Sequence, residues 1–139
     1  MDINLLKQEL IKDEKEVLMP YRDSEGFLTV GVGHNLDAKG ISKAVSALML
    51  DEDILEVLAE IGRKLPWWST LDPVRQRVIA NMVFNLGMAK FLKFKNTIKL
   101  IHAGNYLVAA DEMLNSKWAM QVGPRADRLS SMMRTGEVK

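Results

Sequence analysis

Cysteine is absent from the 139 residues. Disulfides, thiolate zinc sites and a cysteine nucleophile are therefore excluded. Histidine occurs only twice, at His34 and His102. That is too little for a histidine-rich metal centre, and no metal or cofactor is expected. No run of about 18 apolar residues occurs, so neither a membrane span nor stable membrane insertion is expected. The start, Met1-Asp2-Ile3-Asn4, lacks the basic-then-apolar order of a secretory signal. Phosphate-cradling loops are missing as well. Gly31-x-Gly33 has no third glycine and does not lead directly into a convincing helix. No Gly-x-Ser-x-Gly elbow is present.

What is present is a globular balance, 47% hydrophobic and 27% charged. The length suits one domain or two small lobes. The net charge of +1 hides an asymmetry. Residues 1–60 carry 6 Lys and Arg against 13 Asp and Glu, a net −7, and residues 61–139 carry 13 against 5, a net +8. Opposite fields on two lobes follow, with the basic part able to face an anionic polymer. A solvated surface is the plainer alternative.

Residues 2–13 read as a helix capped by Asp2, with Ile3, Leu6 and Leu10 at helical spacing. Pro20 stops its continuation. Asp23-Ser24-Glu25-Gly26 signals a turn, and residues 27–33 read as a strand. This supports a hairpin or three-stranded sheet at most. Helix is expected from Gly40 to about Gly62, with a break at residues 65–70. Asp72-Pro73 then opens the clearest helix, ended by Gly87. Its apolar residues wrap nearly all round, so it should be buried. Shorter helices are expected over 95–103, 106–115 and 125–134.

The chemistry concentrates in carboxylates around the hairpin. Glu14 sits where the first helix ends. The negative end of the helix dipole, with partial burial, would favour its protonated form and suit it as a general acid. Asp23, in a polar turn, would stay ionised. Two carboxyls in unlike environments are what glycoside hydrolysis uses. Taken alone, these residues are more simply solvated charges. On the strand, Phe27, Thr29, Gly31 and Gly33 share a face. Thr29 beside two positions without side chains suggests a groove floor with Thr29 exposed in it.

Eight residues separate Glu14 from Asp23, and five separate Asp23 from Thr29. With the Thr29-x-Gly31-x-Gly33-His34 tail, this resembles the phage-type lysozymes of glycoside hydrolase family 24. Leu71-Asp72-Pro73-Val74-Arg75 and Asn81 to Gly87 resemble that family's central helix. Ser116-Lys117-Trp118, Pro124-Arg125-Ala126 and Arg134-Thr135-Gly136 resemble its C-terminal region. Two departures stand out. Lys15 replaces the glycine common after the family's catalytic Glu, and the stretch from His34 to Leu71 is short.

The resemblance implies a predominantly α, α+β fold over 1–139. A small lobe of about 14–62 would contain the hairpin, and 1–13 plus 63–139 would form a helical lobe. It implies an endo-acting muramidase with Glu14 as general acid. Asp23 would position water or stabilise positive charge, and Thr29 would hold water or sugar. Phe27, Gly31, Asn81 and Arg125 would contact substrate, with Arg125 able to pair with Glu14. The family is described as inverting. The expected partner of this monomer is the peptidoglycan glycan strand. Its setting would be the host cytoplasm, with release to the wall through a separate membrane lesion. Asn81 and Asn85 could equally tie helices together. His34 is expected to make a structural bond, to Asp53 for example. Trp118 should be core with its indole N–H bonded, Trp67 and Trp68 should pack, and the methionines should fill the core.

Two rivals accompany this reading. One is a fold of the same kind that binds wall glycan without cleaving it. A helical nucleic-acid-binding domain would use the basic half, but it leaves the Glu–Asp–Thr spacing unexplained, and no nucleic acid partner is expected.

Overall fold

In the computed structural model, which describes residues 1–139, Asp2 opens helix α1, Ile3–Glu14. Its Oδ1 accepts from the Leu5 N–H at 3.0 Å, satisfying one of the orphan donors of the first turn. Ile3, Leu6 and Leu10 remain exposed, and no α1 residue is buried. The chain then forms β1 (Val17–Arg22), β2 (Leu28–Gly31) and β3 (His34–Asn35), an antiparallel sheet in the order β1-β2-β3. The expected small sheet is therefore present. β1 itself is not legible in the sequence, where Pro20 only marks the end of the first helix. That proline is tolerated because β1 is an edge strand and its register slips between Val17 and Tyr21.

Helix α2 (Leu36–Lys39) leads to the 22-residue α3 (Lys43–Lys64) and a 3-10 turn at Pro66–Thr70. Then come α4 (Pro73–Leu86), α5 (Met88–Phe91), α6 (Lys95–His102), α7 (Tyr106–Leu114), α8 (Lys117–Val122) and α9 (Pro124–Thr135). The short α5 and α8 were not expected; four and six residues carry too little periodicity to read.

The chain divides into two compact units, Met1–Met49 and Leu50–Lys139. In the second, Ile61, Ile79, Met82, Phe91, Ile101, Met113, Leu129 and Met133 belong to one fully enclosed core. α4 is not buried all round. Val78, Ile79, Met82 and Val83 face inward, while Phe84 is 45% exposed. The methionines divide: Met82, Met88, Met113, Met132 and Met133 fill the core, but Met1, Met19, Met49 and Met120 are exposed. Trp118 is buried and its indole N–H donates to Asn85 Oδ1 at 2.9 Å, as the sequence predicts. Trp67 packs against the core and stacks flat on His102, with ring centroids 4.6 Å apart.

Asp72 caps α4 through the Arg75 N–H at 3.0 Å and pairs with Arg75 Nη1 at 3.1 Å. Burial pushes its carboxyl up. The backbone bond, the guanidinium bond and the positive charge of Arg75 outweigh this, so the carboxyl stays below the usual Asp value. A depressed folded pKa contributes stability above the unfolded value of about 3.9, lost as pH falls through the folded value. Asp72→Asn keeps a capping oxygen but not the charge. It should be less stable than wild type at pH 7, and urea melts should show the gap closing below about pH 4. A pH-independent gap would contradict this assignment.

Candidate functional site

The Glu–Asp–Thr constellation lies within the Met1–Met49 unit. Glu14 is the last residue of α1 and is exposed; the partial burial expected for it is not found. The chain leaves the helix through Lys15, whose φ of 64° and ψ of 155° lie in a region open essentially to glycine alone. The departure from the family's glycine thus falls at the position where glycine fits best. Lys15→Gly should raise stability by about 1 kcal/mol, after allowing for the larger unfolded-state entropy of glycine. A denaturation midpoint equal to or below wild type would refute this.

Asp23 follows β1 and is half-buried. Its Oδ1 accepts from the N–H groups of Glu25 at 2.9 Å and Phe27 at 2.8 Å. That Asx-type turn fixes the carboxylate's direction. The Asp23 N–H donates to the Phe27 carbonyl at 2.9 Å, and the Thr29 hydroxyl donates to that same carbonyl at 2.9 Å. One backbone oxygen therefore couples Asp23 to Thr29. The register agrees: Tyr21 faces Thr29 and Arg22 faces Leu28, which sets Asp23 opposite Phe27. Cross-strand partners share a face, so Asp23, Phe27 and Thr29 lie on one face of the hairpin.

Thr29 is not exposed in a groove, as its alternation had suggested. It is 3% exposed, and its hydroxyl turns to the backbone. Phe27 is 41% exposed beside Asp23. Gly31 ends β2 at φ 70°, and Gly33 follows at φ 62° with the Glu14 carboxylate against it.

Arg22 and Asp37 were not singled out as functional from the sequence. Asp37 Oδ2 accepts from the Leu28 N–H at 2.7 Å and from Arg22 Nη1 at 3.3 Å, and Arg22 also donates to the Gly26 carbonyl. This network secures the hairpin. Their sequence separation of 15 hides it. His34 makes its structural bond from Nε2 to the Gly40 carbonyl at 2.6 Å; the partner is Gly40, not Asp53.

Asn81 and Arg125 belong to the Leu50–Lys139 unit. The half-buried guanidinium of Arg125 donates twice to Asn81 Oδ1, at 2.9 Å from Nε and 2.7 Å from Nη2. Both residues line a cavity of about 530 Å³ whose other walls include Ile54, Leu58, Trp68 and Phe84. Asn85 serves Trp118 instead and ties helices together. No helix is long and apolar enough to cross a membrane.

Comparison with known proteins gives a consistent set. The sequence model of a family described as "Phage lysozyme" matches residues 12–134, a span that includes every residue named above as catalytic or substrate-binding. "Probable T4-type lysozyme 1" of Dictyostelium discoideum is 32% identical, over 96% of this chain and 96% of its own. The "SAR-endolysin" of Escherichia phage Mu is 35% identical, over 86% of this chain and 68% of its own. The "Endolysin" of Salmonella phage P22 is 29% identical, over 76% and 75%.

Proposed function

This chain belongs to the phage lysozyme family, and we propose that it is an endo-acting muramidase. Its reaction is hydrolysis of the β-1,4 bond between N-acetylmuramic acid and N-acetylglucosamine in peptidoglycan, in the service of wall lysis by a phage or prophage. The observation that carries this reading is the coupling of Asp23 to Thr29 through the Phe27 carbonyl, within the same compact unit as Glu14.

Glu14 gives its proton to the bridging oxygen as the bond to the anomeric carbon breaks. Water adds to that carbon from the opposite face and loses a proton to Asp23. Asp23 suits this task because Oδ1 is held by two N–H groups while Oδ2 accepts no bond within the protein. The Thr29 hydroxyl spends its proton on the Phe27 carbonyl, so it can only accept a bond from that water or from sugar. The exposed ring of Phe27 offers an apolar face to a sugar, Gly31 allows close backbone approach, and Asn81 and Arg125 contribute polar contacts. The protein acts as a monomer, made in the host cytoplasm and released through a separate membrane lesion.

Digestion of purified sacculi, with borohydride reduction of the products, tests the bond. Reduced ends should be muramitol. Reduced N-acetylglucosamine ends would mean a different bond is cut. Tight binding with no soluble product would establish the glycan-binding alternative.

A further inference from the structure

Of the nine glycines, only Gly33 and Gly136 have a side chain within 4 Å of where a Cβ would stand. At Gly33 that side chain is Glu14. A Cβ there would sit 3.0 Å from Oε2, 3.2 Å from Cδ and 3.4 Å from Cγ. The carboxyl group of Glu14 therefore occupies the space that a side chain at Gly33 would take. Gly31, at φ 70° in the same strand exit, has nothing within 4 Å.

We propose that Gly33 is a positioning residue for the acid: its missing side chain is the seat on which the Glu14 carboxyl lies. This rests on the reading of Glu14 as general acid. The backbone accounts for the encounter. Val17 at the start of β1 pairs with Gly31 at the end of β2, and Gly33 lies in the turn just beyond that pair. Glu14, at the end of α1, is thereby delivered to the sheet at the one glycine whose Cβ direction it occupies. The contacting atoms are the far end of a flexible chain, so an added methyl displaces the carboxyl rather than the backbone. A displacement of a few tenths of an ångström matters little to folding but much to proton transfer, where misplacement near 1 Å can cost about a hundredfold.

The test compares Gly33→Ala with Gly40→Ala. Gly40 shares the positive φ, 57° against 62°, and has nothing within 4 Å. Both variants should lose stability, because both force alanine to positive φ. Only Gly33→Ala should lose catalysis, with kcat on soluble glycan fragments down about tenfold or more and KM within about twofold. Equal kcat in the two variants, or a loss confined to KM, overturns the proposal. If Gly33→Ala does not fold, the double variant Glu14→Ala/Gly33→Ala decides. Recovery of the fold once the carboxylate is removed supports the contact, and persistent unfolding overturns it. The parallel Glu14→Gln assay separates this outcome from failure of the reading beneath it. If Glu14→Gln retains full activity, the acid assignment fails first.

Discussion

Glu14→Gln should abolish lysis while leaving the protein folded. Glutamine keeps the size and the hydrogen-bonding capacity of the side chain but has no proton acidic enough to protonate a departing sugar oxygen. General acid catalysis contributes about 10²–10⁴-fold, so the residual rate should fall by at least that lower factor. Glu14 is exposed, makes no ion pair with any Lys or Arg, and lies where a Gly33 side chain would stand. Its replacement should therefore change stability by no more than about 0.5 kcal/mol. The measurement is turbidity loss of outer-membrane-permeabilised Gram-negative cells, with sedimentation on purified sacculi alongside. Wild type should clear the suspension, and the variant should bind sacculi without clearing it. Equal clearing by both would remove Glu14 from its role. No clearing by either, with binding retained, would leave a glycan-binding protein. Asp23→Asn makes a companion test: an amide oxygen can still accept the Glu25 and Phe27 N–H bonds, so the turn persists and only the charge is lost.

The second large effect concerns stability. Arg75→Ala should cost about 2–4 kcal/mol and lower Tm by roughly 10 °C. The Arg75 side chain is only 14% exposed and every part of its fork is engaged. Nε donates to the Met133 carbonyl at 2.7 Å, Nη2 to the Arg134 carbonyl at 3.1 Å, and Nη1 to Asp72 Oδ1 at 3.1 Å. The guanidinium also lies 3.7 Å from the centroid of Tyr106. One side chain thus joins the start of α4 to the last turn of α9 and to α7. Its alanine variant leaves two end-of-helix carbonyls without partners, strips Asp72 Oδ1 of its guanidinium while the Oδ2 cap bond persists, and loses a cation–π contact. Arg75→Lys should recover little, since a point charge cannot reproduce the planar fork. Gly136 shows the same demand from the other side: a Cβ there would stand 2.8 Å from Arg75 Nη1. A thermal melt of Arg75→Ala within about 2 °C of wild type would refute the account.

Neither the contact beneath Glu14 nor the Arg75 hub could be read along the chain. Arg75 drew attention only as part of a motif, because its partners lie 58 and 59 residues away. Asn81 stands between sugar contact and helix tie in the sequence, and its bond to Arg125, 44 residues on, is visible only in the structure. Thr29 was placed on the correct face by alternation, yet its burial was missed. Alternation states which face a side chain occupies, not what covers that face. Lys15 was marked as a departure from the family, but only the backbone shows that the departure falls at positive φ.

By itself the sequence determined the helix starts at Asp2 and Asp72-Pro73, the stop at Gly87, the turn at Asp23, and the spacing of Glu14, Asp23 and Thr29. These depend on caps, dihedral preferences and hydrogen bonds closed within a few residues, so the chemistry of neighbouring side chains specifies them. Tertiary structure alone decided that one carbonyl would join Asp23 to Thr29, that Glu14 would lie on Gly33, and that Arg75 would close the end of α9. Such contacts form only once sheet register and helix packing have brought distant segments together, and no local preference encodes which atoms then meet.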